Sequence, residues 1–246
     1  MPEGPSIVIL KEALHDFIGK KIKEAVGNTK KVDLENLRGK KIVDFKSWGK
    51  HFLICFTDFS IRIHLLMFGS YRINEFKENS TPRLGIKFTN NKFLNFYACA
   101  VSTIETPLDE IYDWSVDVMN DSWSSKAALK KLKERPKTLV CDALLDQNIF
   151  SGVGNIIKNE VLFRIRVHPK SQVGKLPSAK KLELVREAVA YSFQFLEWKK
   201  QFVLKANWLA HTKKICPRDK NKIIKEYLGK TNRRTFFCTK CQTLYR

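Results

Sequence analysis

The chain has 246 residues, 43% of them hydrophobic, which is enough for one large domain or two ordinary ones with an ample core. Its 45 Lys and Arg residues against 25 Asp and Glu residues give a formal net charge of +20. That excess excludes an acidic disordered chain and makes an acidic partner the default expectation. Apolar runs fall short of the roughly 18 residues that span a bilayer, and the N-terminal segment lacks the pattern of a signal peptide. A cytoplasmic protein with no membrane partner is expected.

The first predicted elements are a helix and then a series of strands. Over residues 6–17 the apolar side chains recur at the spacing of one helical face. These side chains are Ile7, Leu10, Leu14 and Phe17. Residues 40–97 change to short segments rich in β-branched and aromatic residues, separated by turn signals. We expect five or more strands there, in an antiparallel sandwich or barrel against which the helix packs.

The second half of the chain is predicted to be helical. Helices are expected over residues 126–135, over 138–147, from Asn155, and over 178–202 with Ser178 as the N-cap. The tail from about Ala206 is basic and carries cysteines, and so small a module needs a staple to fold. We therefore predict three domains: an N-terminal β-sandwich domain (1–115), a helical domain (116–205) and a C-terminal hairpin module (206–246).

The six cysteines fall into two groups. Those in apolar surroundings are expected to be small buried hydrophobes, namely Cys55, Cys99 and Cys141. The other three, Cys216, Cys238 and Cys241, lie together near the C-terminus. In a chain that is not secreted, such clustering favours a metal site over disulfides.

The glycine-bearing turn at residues 151–154 separates two predicted helices, and the second begins at Asn155. Free backbone N–H groups at a helix start form a ready phosphate site, to which the Asn155 side chain can add a donor. Nearby positive charge comes from Lys158, Arg164 and Arg166. The alternative is an ordinary connection between two helices with two turn glycines. The longer run of residues 144–169 around the turn favours the phosphate site over this alternative.

Five segments in order resemble the formamidopyrimidine-DNA glycosylase and endonuclease VIII family. They are residues 2–5 (Pro-Glu-Gly-Pro), 49–50 (Gly-Lys), 64–69 (His-Leu-Leu-Met-Phe-Gly), 144–169 (the turn and its flanking helices) and 233–242 (Arg-Arg-Thr-Phe-Phe-Cys-Thr-Lys-Cys-Gln). The Glu-Gly-Pro opening is nearer to the endonuclease VIII branch. The resemblance covers essentially the whole chain and implies an N-terminal helix plus antiparallel β-sandwich, a helix-two-turn-helix domain and a zinc-ribbon-like C-terminal module.

The resemblance implies catalysis by an N-terminal proline. Once Met1 is removed, Pro2 exposes a secondary α-amine, and such a group titrates at about 8, so part of it is neutral and nucleophilic. Attack on C1′ of a nucleotide displaces the base and leaves a Schiff base, from which both flanking phosphates can be eliminated. Glu3 would protonate the sugar or the leaving base and shuttle protons. The plainer interpretation of Pro2 is a small second residue that permits Met removal. The plainer interpretation of Glu3 is a carboxylate at a helix start, where it interacts favourably with the helix dipole.

The other site residues follow from the same resemblance. Lys50 and Arg233 would contact phosphates near the lesion, although each could be an ordinary solvated basic residue and Arg234 could compete with Arg233. Chemistry at C1′ requires the nucleotide to be flipped out, and Met67 resembles the wedge that fills the vacated space. The alternative for Met67 is a core methionine on a strand. Asn155 and Lys158 complete the predicted DNA contacts.

Two departures from the family concern the lesion pocket. Ser6 stands where the family commonly has a second acid, which alters proton delivery or the pocket. After Tyr97 the chain reads Ala-Cys-Ala-Val (98–101), where relatives often carry arginines that read the opposite base. We expect opposite-base discrimination that is either weakened or supplied by another part of the chain, and no preference for 8-oxoguanine opposite cytosine.

The zinc module departs too, because Asp219 occupies the position of the family's second cysteine. The expected ligands of a structural zinc are therefore Cys216, Asp219, Cys238 and Cys241. His211 has better ligand chemistry than a carboxylate but lies five residues before Cys216, and a ribbon folded without metal is a further alternative. No catalytic cofactor is expected.

Together these features predict a monomeric base-excision-repair DNA glycosylase with β,δ-lyase activity. Its partner would be double-stranded DNA with oxidised bases, chiefly oxidised pyrimidines or ring-opened purines, or with abasic sites. The protein would associate with the nucleoid when bound to DNA. A non-catalytic binder of damaged or duplex DNA is the first alternative, and an RNA-binding or ribosome-associated protein is the second.

Overall fold

A computed structural model describes residues 2–246, which fall into two compact units, one up to Tyr112 and one from Asp113 onward. A separate C-terminal domain over 206–246 stays a prediction. The removal of Met1, which the proline chemistry requires, concerns a residue outside the described range. Within that range no helix is both long and apolar enough to cross a membrane.

The first unit begins with helix α1, Gly4–Ala13, followed by a 3-10 turn at His15–Phe17. The helix begins two residues earlier than the sequence indicated, because Pro5 fits its first turn, where no backbone N–H is required. The four apolar side chains of the predicted face are all buried, namely Ile7, Leu10, Leu14 and Phe17. The predicted helical face is confirmed, although its last turn is 3-10 rather than α.

Two four-stranded antiparallel sheets form the rest of this unit, in the orders β1-β6-β7-β5 and β2-β3-β4-β8. The strands are β1 (Ile22–Val26), β2 (Asp44–Trp48), β3 (His51–Cys55), β4 (Ser60–His64), β5 (Ser70–Ile73), β6 (Leu84–Phe88), β7 (Phe93–Tyr97) and β8 (Ala100–Ile104). Side chains from both sheets and α1 share one core, in which the rings of Phe52 and Phe96 lie 5.9 Å apart. The predicted sandwich is confirmed.

The short helix α2 closes the first unit, and the second unit contains helices α3 to α6. Their bounds are α2 (Leu108–Ile111), α3 (Ser125–Lys133), α4 (Val140–Leu145), α5 (Asn155–Arg164) and α6 (Ser178–Lys200). The start of α5 at Asn155 is as predicted. Helix α4 ends at Leu145 instead of Gln147, because the backbone of Asp146 turns extended with a ψ of 111°. The side-chain Nε2 of Gln147 then donates to the free Leu145 carbonyl at 2.8 Å.

Helix α6 has Pro177 as its N-cap, so the prediction that Ser178 caps it is wrong. Pro177 has an extended ψ of 149°, whereas Ser178 is already the first helical residue. The chain ends with an antiparallel hairpin of β9 (Ile224–Leu228) and β10 (Arg233–Phe237). This hairpin packs on a small core that includes Phe163 of α5. Cys55, Cys99 and Cys141 are buried, as expected.

Candidate functional site

The N-terminal pair lies at the start of α1. Pro2 is half-buried, and Glu3 is the N-cap residue with a side chain only 1% exposed. The backbone carbonyl of Glu3 accepts from the N–H of Ser6 at 2.8 Å, which closes the first helical turn. A carboxylate at this position lies at the positive end of the helix dipole. The fold therefore holds an acid directly beside the residue whose amine Met1 removal would release.

Lys50 lies in a two-residue turn between β2 and β3, in which Trp48 pairs with His51. Gly49 has a φ of +54°, as a hairpin with glycine at the first central position requires. His51 faces His64 across β3 and β4, with ring centroids 5.3 Å apart. Burial lowers the pKa of His51 to about 4, helped by the positive charges of His64, Arg62 and Lys50. Lys50 thus stands beside a His51 imidazole that stays neutral down to about pH 4.

Met67 lies in the turn that joins β4 to β5, outside any strand. Its side chain is 49% exposed, between Leu66 at 46% and Phe68 at 81%. The turn is tight: the N–H of Gly69 donates to the Leu65 carbonyl at 2.7 Å, and a Cβ on Gly69 would collide with that oxygen. Met67 is therefore not a core residue, and three neighbouring apolar side chains project from a fixed turn.

The segment after Tyr97 is a tight turn. β7 ends at Tyr97, Ala98 adopts a φ of +49°, and β8 begins at Ala100. Cys99 is buried. The turn consequently presents no basic side chain at the position where the resemblance to the family predicts arginines.

Asn155 begins α5, directly after the turn over residues 151–154. Within that turn, Gly152 has a φ of +95°, and its N–H donates to Oε1 of Gln147 at 3.1 Å. The Asn155 amide Nδ2 donates to the carbonyl of Arg234 at 2.9 Å. Asn155 thus joins the turn to strand β10, at the helix N-terminus where an anion would be stabilised.

Lys158 is not on the surface. Its side chain is 1% exposed, and Nζ lies 2.9 Å from Oδ1 of Asn155 and 2.8 Å from Oγ1 of Thr235. Arg233 is half-buried at the start of β10, and Arg234 beside it is exposed. The second unit therefore brings Asn155 and the strand that carries both arginines together, with Lys158 beneath them.

The tip of the β9–β10 hairpin is attached to helix α4. Both carboxylate oxygens of Asp142 accept from the N–H of Lys230, at 3.0 and 3.1 Å. Gly229 has a φ of +74°, and a Cβ there would collide with the same carboxylate. The hairpin is thus fixed at its tip as well as along β10.

The four predicted metal ligands form one cluster, with their ligand atoms all within 4.8 Å of one another. The sulfurs of Cys216 and Cys241 are 3.8 Å apart. This separation fits a tetrahedron with zinc–sulfur bonds of about 2.3 Å, whose edge is about 3.8 Å. Oδ2 of Asp219 lies 3.2 Å from Sγ of Cys238. The backbone N–H of Asn221 holds the pKa of Asp219 well below its usual range, so an ionised oxygen ligand is in place.

His211 lies outside this cluster. Its Nδ1 is 2.9 Å from Nδ2 of Asn159, and burial lowers its pKa to about 4. The donor set of three thiols and one carboxylate therefore fits a structural metal, and the alternative with His211 as a ligand does not match the geometry.

Two family models match the chain. The formamidopyrimidine-DNA glycosylase N-terminal domain matches residues 1–98, and the H2TH domain of the same glycosylases matches residues 115–195. Together they cover well over half of the sequence. The chain belongs to the formamidopyrimidine-DNA glycosylase and endonuclease VIII family.

Relatives of known name agree with this assignment. Endonuclease 8-like 3 of Xenopus laevis is 32% identical over 222 residues, which is 85% of this chain and 36% of that protein. Endonuclease 8-like 2 of Bos taurus is 34% identical over 74% of this chain and 58% of its own length. The present chain therefore spans only about a third to three-fifths of the length of these two relatives. The formamidopyrimidine-DNA glycosylase of Lactobacillus helveticus is 27% identical over the full length of both chains.

Solved structures of the family share the fold. A viral DNA glycosylase superposes with a TM-score of 0.84 and 22% identity, over 98% of this chain and 100% of that one. The Lactococcus lactis formamidopyrimidine-DNA glycosylase, bound non-covalently to DNA containing an AP site, gives a TM-score of 0.85 and 22% identity over 98% and 99%. At this identity the likeness shows the fold alone.

Two residues that hold the candidate site together, Glu160 and Arg218, were not predicted from the sequence. Glu160 is fully buried and accepts from the backbone N–H groups of Leu209, Ala210 and His211 at 2.7–2.9 Å. Arg218 donates to the carbonyls of Phe163 and Arg164 at the end of α5. A charged residue in a helix or in a basic tail ordinarily predicts solvent exposure, so neither position carried a distinguishing signal.

Proposed function

We propose that the protein is a base-excision DNA glycosylase with AP lyase activity, directed at oxidised pyrimidines and ring-opened purines. One observation carries this proposal: Pro2 precedes α1 with the buried carboxylate of Glu3 beside it. The pair matches what amine catalysis of base removal uses, namely a neutral amine as the nucleophile and an adjacent acid that protonates the leaving group.

In the proposed reaction, the neutral amine of Pro2 attacks C1′ of the damaged nucleotide. The bond from C1′ to the base breaks, and the base leaves with its electron pair and a proton delivered by Glu3. The attached amine then loses its proton, the ring oxygen O4′ gains one as the C1′–O4′ bond breaks, and an iminium between Pro2 and C1′ results. Loss of a proton from C2′ expels the 3′ phosphate, and a second elimination expels the 5′ phosphate. Water finally releases the sugar fragment and regenerates the amine.

The remaining predicted site residues would position the DNA. Lys50 and Arg233 would contact phosphates that flank the lesion, and Asn155 would add donors at the N-terminus of α5. Met67, projecting from its rigid turn, would enter the base stack where the damaged nucleotide has left it. The net charge of +20 suits a protein that searches duplex DNA through backbone contacts.

We further propose that the cluster of Cys216, Asp219, Cys238 and Cys241 holds a structural zinc. The ion would stabilise the hairpin module that carries Arg233, and it would take no part in the reaction.

The tight turn after Tyr97 supports weak discrimination of the opposite base, because it offers no side chain able to read that base. This expectation about the opposite base would be contradicted if the protein cleaved 8-oxoguanine opposite cytosine faster than any other lesion pair.

The test is borohydride trapping on duplexes that contain an abasic site or an oxidised pyrimidine, with the N-terminus of the protein checked by mass spectrometry. We expect a covalent adduct on the Pro2 peptide and its loss, or strong slowing, in the Pro2→Gly variant. Glu3→Gln should still bind the duplex while releasing the base far more slowly. Retained duplex binding without any adduct, from protein with a confirmed free Pro2, would instead indicate the non-catalytic DNA binder.

A further inference from the structure

Lys158 lies one helical turn into α5 with its ammonium enclosed between two elements. Its Nζ lies 2.9 Å from Oδ1 of Asn155 on the same helix. On strand β10 it lies 2.8 Å from Oγ1 of Thr235 and 3.4 Å from the carbonyl of Arg234. With 1% of its side chain exposed, the ammonium is turned towards protein acceptors rather than towards solvent.

These contacts fix which end of the Asn155 side chain faces inwards. A lysine ammonium only donates, whereas an asparagine amide has one accepting and one donating end. Lys158 therefore holds Oδ1 towards itself, and the donating Nδ2 takes the outer position, where it contacts the Arg234 carbonyl at 2.9 Å. A flipped amide would bring Nδ2 against the ammonium, two donors facing each other. Asn155 is thus held as a hydrogen-bond donor at the N-terminus of α5.

The same ammonium helps to hold strand β10 in place. The Arg234 carbonyl and the Thr235 hydroxyl both contact Lys158, and the N–H of Phe236 donates to Oδ1 of Asn159 at 3.3 Å. Residues 234–236 are therefore joined to α5 through backbone and short side-chain groups. The long side chains of Arg233 and Arg234 remain half-buried and exposed, respectively.

We infer that Lys158 is a positioning residue of the phosphate-binding surface formed by Asn155 and β10, and that it makes no DNA contact of its own. This differs from the direct contact that the sequence indicated. The inference rests on the proposed function only in taking a DNA phosphate as the ligand. Lys158 presents the donor end of Asn155 to that phosphate, beside the strand that carries Arg233.

A double-mutant cycle on DNA binding tests this role. Affinity is measured for a duplex with a non-cleavable abasic-site analogue, using Lys158→Met, Asn155→Ala and the double variant. We expect each single change to weaken binding by about tenfold or more, the loss of one hydrogen bond to a charged group. The double variant should bind within about twofold of Asn155→Ala, because the two residues act as one unit. A merely structural lysine would not produce such coupling.

The salt dependence of binding gives a second readout. Each phosphate contact by a basic residue contributes about 0.9 to the slope of log affinity against log salt. Lys158→Met should leave that slope unchanged. Multiplying effects in the cycle would overturn the inference, because Lys158 would then act independently of Asn155. A slope lower by about 0.9 would also overturn it and make Lys158 a direct phosphate contact. Lys199→Met, at an exposed position on α6, is the matched control for loss of one charge and should bind within about twofold of the unchanged protein.

Thr235→Val keeps the inference testable if Lys158→Met fails to fold. This variant removes one acceptor of the ammonium without removing a charge. It should weaken binding to the abasic-site analogue in the unchanged protein and cause no further loss when it is added to Asn155→Ala. Full retention of affinity would overturn the inference. Because the analogue cannot be cleaved, these results do not depend on whether the protein traps or releases a base.

Discussion

His51 is the side chain whose protonation the fold opposes most clearly in the first unit. Burial lowers its pKa from 6.5 to about 4, and the nearby positive charges of His64, Arg62 and Lys50 add to the effect. In the unfolded chain the imidazole takes up a proton near pH 6.5, whereas in the folded protein it stays neutral down to about pH 4. The unfolded state therefore binds more protons between these values, and stability falls as the pH falls through this window.

We predict that His51→Gln removes part of this pH dependence. Its free energy of unfolding, measured by denaturant titration, should decline less between pH 6.5 and pH 4 than that of the unchanged protein. The same substitution at the exposed His15 serves as the control and should leave the decline as it is. Identical pH profiles for the His51 variant and the unchanged protein would contradict the buried, neutral state of His51.

Glu160 is the buried carboxylate that fixes the start of the C-terminal module. Its two oxygens accept three backbone N–H groups from residues 209–211. In Glu160→Gln one oxygen becomes an amide donor that faces a backbone donor, and the charge is lost. We expect a loss of about 2–4 kcal/mol in the free energy of unfolding. Glu197→Gln, at an exposed position, should change it by less than about 0.5 kcal/mol.

At the scale of elements, the hairpin of β9 and β10 packs on α5 and, under the proposed function, would also depend on zinc. Asp219 would be the weakest of the four proposed ligands, because structural zinc sites favour thiolates over carboxylates. We predict that Asp219→Cys retains zinc against a chelator longer than the unchanged protein, and that Asp219→Ala loses it sooner. Zinc content by atomic spectroscopy after timed chelator exposure measures this. Equal retention by all three proteins would exclude Asp219 as a ligand.

The elements that could be predicted from the sequence are those with one buried face. Helix α1 and strands β2, β3, β4, β6 and β7 show the expected periodicity between clear turns. Strands β1, β5 and β8 were not placed, because β1 is mostly exposed, β5 has four residues and β8 mixes small and polar side chains. Tertiary pairing, rather than local pattern, makes them strands.

The candidate site likewise contains residues that could be predicted from the sequence and residues that could not. Its short segments were recognisable because the residue types and their order are unusual. The burial of Lys158 and Glu160 was not predictable, since α5 is buried on almost every side from Ile157 to Phe163. A helix enclosed by protein shows no apolar stripe, so its sequence does not reveal which polar side chains point inwards.

At the scale of the whole molecule, under the proposed function, the charge of +20 would govern how the protein binds DNA. A surface that displaces counterions from the phosphate backbone loses affinity steeply with salt. We predict that binding to an undamaged duplex weakens by at least about tenfold between 50 and 200 mM salt, measured by fluorescence anisotropy. Binding that changes by less than about twofold over this range would show that the charge serves another purpose.

The turn that carries Met67 has a chemical consequence. A half-exposed thioether is open to oxidation, and methionine sulfoxide is a polar and chiral side chain. Under the proposed function, the oxidants that damage bases would also convert the side chain that enters the base stack. A sulfoxide fits poorly between stacked bases, so oxidative stress would weaken the hold on lesions until a reductase restored the methionine.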